Sequence, residues 1–156
     1  MLVSLGTGLT FEYAADGRTV ETQQPFFLSA GYRFEVADTF LEFSQFYHET
    51  GLPLISVART HSELLAWGRR TFLPDWRFQP FAAFALGLQK DDLRTSFDGG
   101  SRKSKGAFEG LIAAAAGVLV EVYPGLELRL EGRLETSAHF APNPQPNLSL
   151  HLGWHF

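Results

Sequence analysis

The chain has 156 residues, enough for one domain and too few for two well-cored ones, and its 13 Lys and Arg against 17 Asp and Glu leave a net charge of −4. That balance supplies no basic surface for a phosphate backbone, so nucleic acid is excluded as a partner, and the lack of cysteine rules out disulfides, thiolate metal sites and a cysteine nucleophile. No apolar run approaches the roughly 18 residues of a spanning helix, whereas a mean hydropathy of −0.05 is compatible with strands whose apolar and polar residues alternate and cancel.

Met1-Leu-Val-Ser-Leu-Gly6 has no basic segment leading into an apolar stretch and a cleavage site, so export implies a signal peptide already removed. Period-two alternation with turn punctuation then predicts eight strands. The first, 2–13, sets Val3, Leu5, Thr7, Leu9 and Phe11 against Ser4, Gly6, Gly8, Thr10 and Glu12. The second, 25–36, sets Phe26, Leu28, Ala30, Tyr32 and Phe34 against Phe27, Ser29, Gly31, Arg33 and Glu35, and 37–39 reads as a short turn. In the third, 40–49, Leu41, Phe43 and Tyr47 oppose Glu42, Ser44, Phe46 and His48.

The fourth, 54–72, is long. Arg59, His61 and Glu63 share a face, but Leu64-Leu65 and Trp67 suggest a bulge that shifts the phase. Leu73-Pro-Asp75 turns into the fifth, 76–89, where Trp76, Phe78, Ala82, Phe84, Leu86 and Leu88 oppose Arg77, Gln79, Phe81, Ala83, Ala85 and Gly87, and Pro80 withholds one ladder donor. Residues 91–106, rich in Asp, Gly, Ser and Lys, read as a long mobile loop.

The sixth strand, 107–123, contains Ala113-Ala-Ala-Ala116, which favours helix by propensity, but Ile112, Val118, Val120 and Val122 keep one phase while Glu109 and Glu121 take the other. After the tight turn at Pro124-Gly125, the seventh sets Leu126, Leu128, Leu130 and Leu134 against Glu127, Arg129, Glu131, Arg133 and Glu135. In the eighth, Leu148, Leu150, Leu152, Trp154 and Phe156 oppose Ser149, His151, Gly153 and His155.

Alternation does not say which face points inward, because a soluble lipocalin-like ligand-binding barrel has the same period with its apolar face inside. Two features decide. Five charges in a row on the seventh strand cannot line an apolar cavity, since unpaired buried charges cost several kcal/mol each. They can line a polar lumen with Glu12, Arg33, Glu35, Glu42, Arg59, Glu63, Arg77, Glu109 and Glu121. Short and long connections also alternate, and the short-turn rim gathers Phe34, Phe40, Trp67, Phe72, Trp76, Phe78, Tyr123, Trp154 and Phe156 as an aromatic girdle, with Phe11, Tyr13, Phe26, Tyr47, Phe108 and Phe140 at the other rim.

With its alternating last strand ending in Leu152-Gly-Trp-His-Phe156 and its loop asymmetry, the chain resembles the small eight-stranded outer-membrane barrels of the OmpA/OmpX type. The resemblance implies an all-β fold, an eight-stranded antiparallel up-and-down transmembrane β-barrel over residues 1–156, monomeric, in the bacterial outer membrane. It implies contact with outer-membrane lipids and lipopolysaccharide, and Leu152, Trp154 and Phe156 as a signal to the barrel-assembly machinery. It also implies a structural or surface-interaction role through the long loops, without general porin activity, cofactor or metal.

Some such barrels modify lipid A, and His139 with Ser137 and Glu135 is the arrangement nearest to that of the deacylases. Alanine at 141 replaces the serine that follows their histidine by two. Thr60-His61-Ser62-Glu63 is triad-like in composition, but Ser62 falls on the face opposite His61 and Glu63, so an interior polar cluster is expected. His151 and His155 are spaced as possible metal ligands but fit lumen-facing positions equally well.

Overall fold

The computed structural model describes residues 1–13, 20–35, 37–52, 55–98, 100–137 and 145–156, with backbone alone at 10–13, 20–22 and 52. The strands are β1 (Leu2–Tyr13), β2 (Val20–Gln23), β3 (Phe26–Arg33), β4 (Ala37–Leu52), β5 (Ile55–Thr71), β6 (Phe78–Phe97), β7 (Gly100–Tyr123), β8 (Leu126–Ser137) and β9 (Gln145–His155). They form one antiparallel sheet in the order β2-β1-β3-β4-β5-β6-β7-β8-β9, which closes through β1 against β9 from Leu2↔His155 to Thr10↔Asn147.

β2 and β3 pair with β1 in one uninterrupted register, Thr10↔Gln23 and Thr7↔Phe26, on either side of Gln24-Pro25. They are one strand interrupted where proline has no N–H to give. The ring therefore has eight up-and-down strands. Both chain ends meet at the tight-turn rim, where the Met1 ammonium donates to the Phe156 carbonyl (3.1 Å) and the Phe156 amide to that of Met1 (2.9 Å).

Each barrel strand shows the outside an exposed aliphatic side chain: Leu5, Leu28, Leu41, Leu64, Leu86, Ile112, Leu130 and Leu150. The alternate positions, among them Ser29, Glu42, Glu63, Arg129, Glu131 and Ser149, are buried. A lipocalin-like barrel would have the opposite polarity, apolar inside and polar outside. Ala113–Ala116 is strand as the valine phase predicts, because pairing with both β6 and β8 outweighs alanine's helical preference.

Four sequence expectations need correction. Residues 37–39 are the first of β4, with Arg33 opposite Asp38, and the chain reverses before them, where the Phe34 amide donates to the Ala37 carbonyl (2.7 Å). No bulge interrupts β5: its register with β4 and β6 is continuous, and His61, Glu63, Leu65, Trp67 and Arg69 all face inward. Leu65 and Trp67 look out of phase only if apolar is equated with outward.

The segment 91–106 is mostly strand, since β6 pairs with β7 up to Phe97↔Gly100. A bulge places Gly106 and Ala107 opposite Asp91, and beyond it the outward parity of β7 passes from even to odd residues. Lastly, β6 begins at Phe78, and Trp76 and Arg77 belong to the preceding turn.

The strands are of unequal length. β7 has 24 residues, more than twice the roughly 9–11 that span a bilayer. Among the described residues, pairing of β7 with β8 begins at Leu111↔Ser137, and that of β4 with β3 at Gln45↔Phe26. Residues 46–52 of β4, 100–110 of β7 and the parts of β5 and β6 between them thus extend past the closed ring as a projecting four-stranded sheet.

Candidate functional site

The interior divides into two walls. Along β6 and β7 it is lined by small or apolar residues, and Phe40, Leu65, Trp67, Ala85, Leu111, Ala113 and Ala115 make one buried cluster. The opposite wall is β8, whose Glu127, Arg129, Glu131, Arg133 and Glu135 are all buried. Small side chains on one wall leave room for long ones reaching across from the other, in a lumen that eight strands make just wide enough to fill.

Arg133 is the hub. It pairs with Glu42 (2.6 Å), Glu131 (2.8 Å) and Glu135 (3.1 Å), while its guanidinium lies 4.6 Å from the Trp67 ring centre and 4.9 Å from that of Phe27. Arg129 lies 3.3 Å from Glu131 and 3.6 Å from Glu42, with its guanidinium 5.3 Å from the Phe40 ring. Towards the tight-turn rim Arg69 pairs with Asp38 (2.5 Å) and lies over Phe40 and Phe81, and Arg33 bridges Asp38 and Glu127. Planar guanidinium groups can engage a carboxylate edge and an aromatic face at once, which lysine cannot.

Above this network, His61 lies between Glu63 and Asp91, 2.8 Å from each, and stacks on Phe46 with ring centres 4.6 Å apart. Arg59 clamps the same Asp91 at 2.9 and 3.1 Å. The Ser44 hydroxyl donates to Glu63 (2.6 Å), and both ring nitrogens of His61 are taken by Glu63 and Asp91. Ser62 faces outward and accepts from Gln45 (3.2 Å). A cavity of about 60 Å³ lined by Arg59, His61, Gln89, Leu111, Glu135, Thr136, Ser137 and Gln145 caps the network. A second, of about 210 Å³, opens at the tight-turn rim beside Arg33, Asp38 and His155.

The charged positions named from sequence thus separate. Glu42, Glu63, Glu127, Arg129, Glu131, Arg133 and Glu135 are brought together in the interior, with Arg33 and Arg59 at its ends. Glu109 is half-buried and accepts from Gln89 (3.3 Å). Glu35, Arg77 and Glu121 are exposed beyond the lumen, because the strands end before Glu35 and Arg77 and because, at Glu121, the neighbouring β6 has ended at Phe78↔Val120. The Glu12 side chain and His139 lie outside the described residues.

Sequence reasoning missed Asp38 and Arg69. Asp38 sat in a supposed turn and Arg69 beyond a supposed bulge, although the parity of Arg59, His61 and Glu63 extended to residue 69 would have found it. Of the aromatic girdle, Phe34, Phe72, Trp76, Phe78, Tyr123, Trp154 and Phe156 are exposed near the tight-turn rim. Phe40 and Trp67 are corrections: both are buried in the lumen, Phe40 on the parity of Glu42, and Trp67 with its indole N–H donating to Glu42 (3.2 Å). At the opposite rim Phe26, Tyr47 and Phe108 are exposed, whereas the side chains of Phe11, Tyr13 and Phe140 lie outside the described residues.

Among the described residues no group of three or more His, Asp or Glu is arranged to hold a metal ion. His151 hydrogen-bonds Ser149 (2.9 Å) and packs against Phe27 (5.1 Å), and His155 lies 3.8 Å from Glu121.

No family model matches this sequence, and no curated protein does. Solved structures do. Neisserial surface protein A (NspA) superposes with a TM-score of 0.74 at 13% identity, over 99% of this chain and 96% of that one. Ail, the attachment invasion locus protein of Yersinia pestis, solved with the heparin analogue sucrose octasulfate, gives 0.70 at 16% identity over 99% and 97%. The outer-membrane enzyme PagL gives 0.55 at 12% over the whole of both chains. The chain has the fold of the small eight-stranded transmembrane β-barrels of the bacterial outer membrane, the OmpA/OmpX type.

Proposed function

We propose that this protein is a non-conducting outer-membrane barrel, a monomeric single domain over residues 1–156, that presents the projecting β4–β7 sheet at the cell surface for recognition. The carrying observation is the interior network centred on Arg133, which ties β4 to β8 across the lumen between two small vestibules. The upper vestibule has room for only a few water molecules. An ion entering from either side meets paired side chains, not a water column, so general porin activity is not part of this reading.

The projecting sheet has the reach for surface contact, and its inner face exposes Ile55, Val57, Leu93 and Phe97 above the lumen. The name of Ail, a barrel of the same fold, connects it with attachment. The exposed aromatics at the tight-turn rim act as the interfacial girdle, and β9, ending at Trp154 and Phe156, is read by the assembly machinery; deleting Phe156 should impair insertion in cells while leaving refolding in detergent intact.

No chemistry is assigned. PagL shares the fold at 12% identity; in the interior cluster Ser44 is committed to Glu63 and leaves His61 without a nucleophile. Planar-bilayer recording of the refolded protein tests the closed lumen. The expected result is no stepwise conductance above background, and steady porin-like openings would overturn the reading. Incubation with lipid A should release no fatty acid.

A further inference from the structure

We propose that a basic cleft on the outer face of the projecting sheet binds the phosphate groups of an outer-leaflet lipid headgroup. The cleft, about 350 Å³, is lined by Tyr47, Thr60, Asp92, Arg94, Lys103 and Lys105 among others. Four of the chain's 13 cations, Arg94, Arg102, Lys103 and Lys105, fall within the twelve residues 94–105 at the tip of one hairpin, in a chain that is net acidic. Strand pairing puts three of them on one face: Arg94 lies opposite Lys103, and Asp92 opposite Lys105.

That face is the continuation of the lipid-facing exterior. Asp92 follows Lys90 on the outward parity of β6, and Lys90 lies opposite Phe108, whose exposed ring sits below its ammonium at 5.8 Å. Arg102, by contrast, is opposite Thr95, on the inner face.

The carboxylates nearby are already engaged. Asp92 accepts from Lys90 (2.8 Å) and from the Gly106 amide (3.3 Å), and Glu49, across the sheet, accepts from the Tyr47 hydroxyl (2.9 Å). Among the described residues no carboxylate lies within 4 Å of the charged ends of Arg94, Lys103 or Lys105. The cleft therefore holds three cations that make no ion pair among the described residues.

Depth identifies the ligand. Lys105 is three residues past Phe108, roughly 10 Å along a strand rising about 3.3 Å per residue, and a tilt of about 45° makes that roughly 7 Å along the membrane normal. The headgroup layer adds about 5–8 Å to each side of the hydrocarbon core. With Phe108 at the top of the apolar zone, Lys105 sits among headgroups, and the cross-strand pair Arg94 and Lys103 lies just above it, one step of the outward face further along the strands. Anionic phosphate held by two or three cations at that depth gains charge-assisted hydrogen bonds in a medium drier than bulk water. The proposal needs only the transmembrane fold and not the recognition role, so a conducting lumen or an absent surface partner would leave it standing.

The test is binding of purified lipopolysaccharide, phosphatase-treated lipopolysaccharide and inorganic pyrophosphate to protein refolded in a neutral detergent, at low and raised salt. Expected are binding of the intact lipid that weakens with salt, a loss of at least tenfold in the R94A/K103A/K105A variant, a similar loss on removing the phosphates, and no change in Arg102→Ala on the opposite face. Heat-modifiable gel mobility confirms that each variant is folded, and Lys105→Glu alone repeats the test should the triple variant not refold. Equal affinity in the variants, or for dephosphorylated lipid, would overturn the proposal. Pyrophosphate bound as tightly as the lipid would overturn the lipid assignment in favour of a soluble anion.

Discussion

Below Gly87↔Leu111, β6 and β7 belong to a closed ring; above the bulge at Asp91 and Gly106, the same two strands stand in a sheet that projects past it. In the ring, alternate residues enter a shared interior where Arg133 meets three carboxylates and two aromatic faces. In the projection both faces are accessible, and Ile55, Phe97, Arg94 and Lys103 are exposed. Between β4, β5 and β6 backbone pairing is continuous through both regions, so along these strands the ladder alone cannot account for a difference in stability. What differs is whether side chains have anything to pack against, and this places stability in the ring and leaves the projection free for contact.

The strongest test of that contrast is Arg133→Leu. The substitution leaves the buried Glu135 without its arginine and Glu42 and Glu131 with Arg129 alone, and breaking a buried pair in this way costs about 3–5 kcal/mol. The urea midpoint of the protein folded into lipid vesicles should fall accordingly. Lys103→Leu on the projection should leave it unmoved, and equal shifts in the two variants would break the comparison.

Smaller effects of opposite sign are expected at the tight-turn rim. Gly125 has φ +83°, a conformation that a Cβ penalises, so Gly125→Ala should cost about 1 kcal/mol. Leu73 adopts φ +54° without being glycine, and Leu73→Gly should stabilise the same turn side of the barrel by up to about 1 kcal/mol. Both are read from the same unfolding curves.

The fold was legible because period two is imposed wherever one face meets lipid and the other a lumen, and β8, with five charges opposite its leucines, pointed to the inward direction together with the alternation of short and long connections. What escaped was everything that depends on inward residues being apolar. Trp67 and Phe40 look like membrane anchors by type, yet a lumen built of arginines needs rings to stack on and an indole N–H to complete Glu42. The segment 91–106 escaped for a different reason: its composition is that of a loop, and only pairing with β5 on one side and within its own hairpin makes it strand. Turn composition marks where a chain is allowed to bend, not where it does.

The smallest expected effect on stability is also the most discriminating. Replacing residues 93–104 with a two-residue turn removes the tip of the hairpin but none of the buried ionic network. If the ring stands on its interior, the shortened protein should keep its heat-modifiable mobility and its urea midpoint within about 1 kcal/mol of the full chain, because the excised side chains are exposed and contribute little. Limited trypsin digestion gives the complementary reading in the intact protein. Paired backbone from Asp92↔Lys105 to Phe97↔Gly100 should keep the amides and carbonyls around Arg94, Arg102, Lys103 and Lys105 occupied and so unavailable for pairing in a protease cleft, and cleavage there should be slow. Rapid cleavage together with an unchanged barrel would mean that the projection opens on its own, and the division between ring and sheet would then be one of dynamics as well as of packing.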